Sequence, residues 1–355
     1  MDATEQFLQA ITEAHGVPGY ETEVRALLRQ YLEPLGQVSR DHLGSLICEQ
    51  PGSGPKVLLA GHMDEIGFIV RHVTKEGFIK FLPLGGWWDQ VLLGHRVVIK
   101  THKGNVTGVI GARPPHLLTA DDRKKIVTKD EMYIDVGATG KEDVENAGIR
   151  VGDPIVPQSQ FQILSNGKSY LAKAFDNRIG CALVVETLRH YAEQGNDTNH
   201  LYGVATVMEE VGVRGATTSV RAIDPDVAII LESDIAGDVP GIKPEESDVK
   251  LGGGPSLMVY DARMIPNIKL RDLVIDTAAS LGIPLQYSLM PGGATDGAAI
   301  HMHGTGVPTV VLGVPSRHIH SHGSIIYRDD YDQSIRLLIA LVARLDAETV
   351  GGLTI

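Results

Sequence analysis

Long apolar runs are missing from this 355-residue chain. No uninterrupted stretch reaches the ~20 residues that a membrane helix needs, so no membrane partner is expected. The chain has only two cysteines, Cys48 and Cys181. Their number and separation make neither a disulfide framework nor a CxxC metal knuckle. They read as reduced, structural thiols of a cytoplasmic protein. The start, MDATEQFLQAITEAHG, is an acidic amphipathic pattern without the basic n-region and apolar core of a secretory signal. Aromatic residues are 5% of the chain, too few for a carbohydrate-binding face of stacked rings. Positive charge is short and scattered, with a net charge of -12, which excludes nucleic acid as the expected partner. GxxxxGK[ST], GxSxG and HExxH are also missing, so phosphate-loop, serine-elbow and zincin-helix chemistries drop out.

What is present falls into two textures. Residues 4–14 and 20–34 show helical apolar spacing, 45–49 reads as a strand, and KVLLA (56–60) is a continuous apolar run suited to a doubly buried strand. From about 68 to 165, short β-rich runs alternate with Gly, Pro and Asn turns, and helical spacing is confined to 117–128 and 141–147. After 170, helices and strands alternate: 177–193, 201–208, 214–222, 226–232, 269–281, 284–289, 296–303, 307–313 and 330–347. Such alternation predicts an α/β fold with a central mixed sheet flanked by helices. The expected domains are 1–67 with 166–355, and an inserted all-β barrel at 68–165.

The candidate chemistry gathers at strand ends, where open α/β sheets bind ligands. His62 and Asp64 follow one apolar run. Glu209 and Glu210 follow another, Asp234 a third, and His320 lies beyond a fourth. Asp176 instead opens a helical pattern, where helix capping is its ordinary role. Its two carboxylate oxygens also suit it to bridge ions ~3.5–4 Å apart. A lone histidine after a strand is most often structural, but His-x-Asp supplies the carboxylate that orients a metal-bound imidazole. Adjacent Glu209 and Glu210 are an exposed acidic turn unless one binds a metal while the other acts as general base. Asp238 competes with Asp234, and His318 and His322 compete with His320 in RHIHSHG (317–323). A histidine–carboxylate set without thiolate suits two divalent ions, zinc, cobalt or manganese, and hydrolysis of an unactivated bond.

The motifs AGHMDEIG (60–67), AFDNRIG (174–180), EEVGVRGA (209–216), ESD (232–234), PGGATDGA (291–298) and PSRHIHS (315–321) occur in this order. Together they resemble the M42 family of metalloaminopeptidases, the tetrahedral aminopeptidase group, over essentially the whole chain. The resemblance implies a zinc-peptidase-like domain with a PDZ-like inserted barrel that mediates dimer contacts. It implies that His62, Asp176 and Asp234 hold one ion and that Asp176, Glu210 and His320 hold the other. Glu209 would be the general base and acid, and Asp64 would orient His62. Gly293, Thr295 and Asp296 of the glycine-rich motif would contact substrate. The implied activity is release of N-terminal amino acids from peptides through a water bridged by two zinc or cobalt ions. The implied assembly is a homo-oligomer of dimers, up to a dodecamer. Two departures stand out: His318 replaces a usual Tyr, and Ala294 a usual Gly. The competing readings are a glycoside hydrolase using paired carboxylates and a non-catalytic metal-binding homologue. The carboxylates of a glycosidase stand ~5–9 Å apart, which adjacent residues rarely reach.

Overall fold

The computed structural model describes residues 1–354. An eleven-stranded mixed sheet forms its centre. The four middle strands, in spatial order His200–Thr206, Lys56–His62, Val227–Ile235 and Thr309–Arg317, are parallel. Each is buried over nearly its whole length, which explains its unbroken apolar sequence. Alternate side chains divide between two cores. Leu59, Ile229, Leu231 and Leu312 join one, and Leu58, Ala60, Ile230 and Val311 join the other. Antiparallel strands extend both edges of the sheet.

The first face is covered by Phe175–Gln194, a helix enclosed by Ala3–Glu13 and Arg328–Val342, so that nearly all its sides are buried. The second face carries Arg214–Ile223 and the short helix Gly297–Ile300. Strand Ser256–Asp261 pairs with both Thr309–Arg317 and Gln286–Met290. It adds a strand that the helix–strand alternation did not announce.

Five residues after the Lys56–His62 strand, the chain enters a closed six-stranded antiparallel barrel. Its strands, in order around the wall, are Gly67–Val73, Ile79–Leu84, Tyr133–Asp135, Gly104–Gly111, Arg96–Thr101 and Pro154–Pro157. It has its own core, including Phe68, Phe81, Trp87, Ile99 and Ile155. The chain rejoins the large sheet at Gln162–Ile163. Among the described residues, no helix is long and apolar enough to cross a membrane.

Three expected helices differ. At 117–128 the chain forms only short turns, Pro115–Leu117 and Asp122–Lys124, because LLTADDRKKIVT offers no continuous apolar stripe. The helix expected at 296–303 is Gly297–Ile300 alone. Beyond it the His301 ring donates from Nδ1 to the Gly297 carbonyl (2.6 Å), and Gly304 and Gly306 take positive φ. The last helix stops at Val342, and Asp346 caps a separate one, Ala347–Gly351.

Candidate metal centre

The ends of the parallel strands carry the acids and histidines to one rim. His62 is the last residue of its strand, and its ring is fixed from both nitrogens. Nδ1 lies 3.1 Å from the Asp64 carbonyl oxygen, which can only accept, so Nδ1 carries a proton. Nε2 then faces three carboxylates: Asp176 Oδ1 at 3.1 Å, and Glu209 Oε2 and Glu232 Oε2 both at 3.9 Å.

His320 repeats the design. Its Nδ1–H donates to the Gly86 carbonyl at 2.6 Å, and its Nε2 faces Asp176 Oδ2 at 3.2 Å and Glu210 Oε1 at 3.6 Å. The two oxygens of Asp176 therefore point to different histidines. Two groups with ligand-type atoms mutually within 4.8 Å result: His62, Asp176 and Glu232, and Asp176, Glu210 and His320. Asp176 does not act as a helix cap. Ala174 occupies the N-cap position, Asp176 has non-helical backbone angles, and no side chain caps this helix.

The acidic loop is built around Asp64, which is fully buried. The Glu209 amide donates to Asp64 Oδ1 (3.0 Å) and the Glu210 amide to Asp64 Oδ2 (3.1 Å). Just before them, the Met208 amide donates to buried Glu21 (3.1 Å). Asp64 thus orients His62 through its backbone carbonyl and holds both glutamates through its side-chain carboxylate.

Burial governs the charges. It pushes Glu209 and Glu232 well above the usual carboxylate range, with His62 pulling both back and neighbouring acids pushing further. Glu210 is pushed up to about 8 by burial and by Asp176, against the pull of His320. Burial also opposes the Asp176 charge, but hydrogen bonds from His320 and His62 outweigh it and hold that carboxyl low. Burial would lower His320, yet Asp176 and Glu210 lift it to about 10. Oε1 of Glu210 and Oε1 of Glu232 are buried without a hydrogen-bond partner. Buried carboxylates left so are paired with cations or protonated. Hard oxygen donors and two imidazoles, each backed by a carbonyl, fit divalent metal ions.

Asp234 lies elsewhere than expected. Glu232, two residues earlier, takes the place beside His62 and Asp176. Asp234 is occupied by its own donors: Ser256 Oγ (2.5 Å), Ser288 Oγ (2.9 Å) and the Ile235 amide (2.8 Å). Position along the strand decides between the two, since residues i and i+2 share a face but differ in depth. That periodicity was available in ESD (232–234), but from the sequence only Asp238 is set against Asp234, and Glu232 is not considered. Asp238 pairs with Arg317. His318 is exposed. His322 is buried against the barrel, its ring centroid 3.9 Å from that of His95 and 5.2 Å from that of Trp87.

A cavity of about 700 Å³ opens over the two groups. Gly293 and Thr295 line it. Asp296 does not: it is fully buried and its side chain accepts from Thr206 Oγ1, on the strand His200–Thr206, at 2.5 Å. The barrel supplies Gly86 to the cavity wall, a contribution with no signal in the sequence beyond a Gly-Gly turn.

Residues 44–337 match the M42 glutamyl aminopeptidase family. This chain belongs to the M42 peptidase family. It is 44% identical over 348 residues to FrvX of Escherichia coli (strain K12), covering 98% of this chain and 97% of FrvX. The TET aminopeptidase of the marine sediment archaeon Thaumarchaeota archaeon SCGC AB-539-E09 has the same fold, with 50% identity, a TM-score of 0.97 and 99% of both chains covered. The TET1 peptidase of Pyrococcus horikoshii, which can assemble into a tetrahedron or a large octahedral shell, gives 30% identity and a TM-score of 0.88, with 97% of this chain and all of that one covered. The M42 chain is thus an aminopeptidase at the level of its family, and M42 peptidases are metal-dependent.

Proposed function

We propose that this M42 chain is a dinuclear metalloaminopeptidase that releases the N-terminal residue of peptides. The observation that carries the reading is Asp176, whose two oxygens face His62 and His320 at 3.1 and 3.2 Å. His62, Asp176 and Glu232 would hold one divalent ion, and Asp176, Glu210 and His320 the other. The sequence-based expectation of Asp234 in the first set is replaced by Glu232. Zinc and cobalt both suit these donors. When bound, two such ions polarise a carbonyl oxygen and lower the pKa of water at the site.

The chain's own residues supply the rest. Glu209, 3.9 Å from His62 Nε2 and facing the cavity, accepts a proton from the attacking water. The same carboxyl returns that proton to the amine that leaves. Its burial keeps its proton affinity high enough to serve as both base and acid. Asp64 holds Glu209 and Glu210 by their amides, so both side chains arrive already oriented. Gly293 and Thr295 form part of the wall against which the peptide lies.

We further propose that copies assemble through the barrel, which exposes Trp88, Leu117 and Ile126, each at least 60% accessible. A second copy seated on the barrel would cover these side chains. Light scattering on the purified protein tests this, and a monomer at micromolar concentration would refute it.

The central test uses aminoacyl anilides, metal-stripped protein and one added ion at a time. Activity should vanish on stripping and return with zinc or cobalt. Glu209→Gln should keep two ions and lose on the order of 10²–10⁴ in kcat. A glycosidase built on a carboxylate pair would be indifferent to the chelator.

A further inference from the structure

Asp234 is a buried acid that the proposed reaction does not use. It lines the cavity, yet it is only 2% exposed. Its three hydrogen-bond donors are two serine hydroxyls and one amide, all neutral. None of the hydrogen bonds to it comes from a Lys or Arg, and it forms no ion pair with one among the described residues. The nearest acid in sequence, Asp238, has Arg317. Burial works against the charged form of a carboxylate so placed, and a cation brought to it through the cavity would favour that form. The one open side is the cavity.

The surroundings select the kind of cation. Glu232 and Asp234 point to the same side of one strand, ~6.6 Å apart at two residues' rise. A substrate held at the metal centre through its amino end would therefore present the tip of a long side chain, not its backbone, to Asp234. Met258, Leu289 and Met290 line the same cavity and offer an apolar wall for a methylene stem. Ser256 and Ser288 fix the carboxylate from the strands that carry those residues. Gly313 on the neighbouring strand leaves the room, since a Cβ there would stand 2.6 Å from Asp234 Cβ. Two other charged residues line the cavity, Glu246 and Arg263, and both are exposed.

We propose that Asp234 forms the end of a side-chain subsite that selects lysine or arginine as the N-terminal residue of the peptide. This rests on the aminopeptidase reading of the same site. A short or branched apolar side chain leaves the carboxylate uncompensated, and an acidic one repels it.

The test compares lysyl, arginyl, leucyl and glutamyl anilides with the zinc- or cobalt-loaded enzyme. Wild type should favour the two basic substrates. Asp234→Asn keeps an acceptor for the serines and removes the charge. It should lower the lysyl-to-leucyl ratio of kcat/KM by roughly tenfold or more. A second arm needs no turnover. Calorimetry on the loaded wild-type enzyme should show 1,5-diaminopentane binding more tightly than 1-aminopentane, and the difference should shrink in Asp234→Asn. If that variant misfolds, the wild-type amine pair still decides. A leucyl or glutamyl preference, or equal binding of the two amines, overturns the subsite and leaves the aminopeptidase standing. Failure to cleave any anilide in the loaded enzyme instead overturns the reading on which the subsite rests.

Discussion

The two halves of the centre share Asp176 but differ in how they are held. The inner half is His62 and Glu232, both buried and both part of parallel strands of the sheet. The outer half is Glu210 and His320, both on loops. His320 has a side chain 39% accessible, and its Nδ1 is anchored by a carbonyl of the barrel. Strands fix their side chains through a hydrogen-bonded ladder, whereas loops rely on a few contacts and open at lower free-energy cost. We therefore expect the inner ion to be tight and slow to exchange, and the outer ion to be weaker and the one that chelators remove first.

The strongest challenge to this picture is the shared ligand. Asp176→Ala should lose both ions and bring activity to background, read as metal content after dialysis. Retention of one full equivalent would mean that the halves are independent. Next come the separate halves. Glu232→Gln should leave the outer ion without an inner one. His320→Ala should do the opposite, each with at least a hundredfold loss of kcat. Asp234→Asn should retain two equivalents. A loss of the inner ion in that variant would restore Asp234 to the ligand set and remove Glu232 from it.

The same contrast explains what could be read from the chain alone. His62, Asp64 and the Glu209-Glu210 pair stand directly after apolar runs, and strand ends collect ligands whatever the loop lengths between them. The barrel was legible as a change from helical spacing to short β-rich runs. From the sequence, Asp234 is weighed against Asp238 and Glu232 is left out, although two acids at period two share a face and only the depth of each in the folded sheet tells them apart. The three alternating histidines of 318–322 could not be separated. His318 and His320 both take positive φ, so a simple inside–outside alternation does not apply to that loop. Gly86 was invisible because its contribution is a main-chain carbonyl, which every residue has. The helix misread at 117–128 fails for a local reason, since two apolar pairs separated by seven polar or small residues make no stripe.

Acidity offers a smaller, graded test. Without metal, burial and the nearby Asp176 push the Glu210 carboxyl up to about 8 from an ordinary value of 4.5. Between those values this group binds more protons in the folded state than in the unfolded one, so its contribution to the stability of the metal-free protein should fall as pH rises from 4.5 to 8, opposed below 6.5 by His322, which burial pushes down to about 3. His320, lifted to about 10, adds the same sign between 6.5 and 10. Ions bind only the deprotonated carboxylates and neutral imidazoles, so the rise in Tm on adding zinc should grow across the same window. A metal-free protein whose stability climbs steadily from pH 5 to 8 would contradict the burial of Glu210.

The smallest change aims at the outer half alone. Gly86 lies where a Cβ would stand 3.1 Å from His320 Nδ1 and 3.3 Å from Cε1, and its φ is not in the left-handed region. Alanine there is free of backbone strain, so its effect must pass through the imidazole. The ring has to tilt by a few tenths of an ångström, which lengthens its bond to the Gly86 carbonyl and turns Nε2 away from Asp176. Loss of such an anchoring contact costs roughly 10–100-fold in metal affinity when complete, and a tilt should cost the lower end of that range or less. Gly86→Ala should therefore weaken the second equivalent of zinc in a calorimetric titration and leave the first unchanged. Equal weakening of both would show that the barrel steadies the whole centre, and that the inner half is not held by the sheet alone.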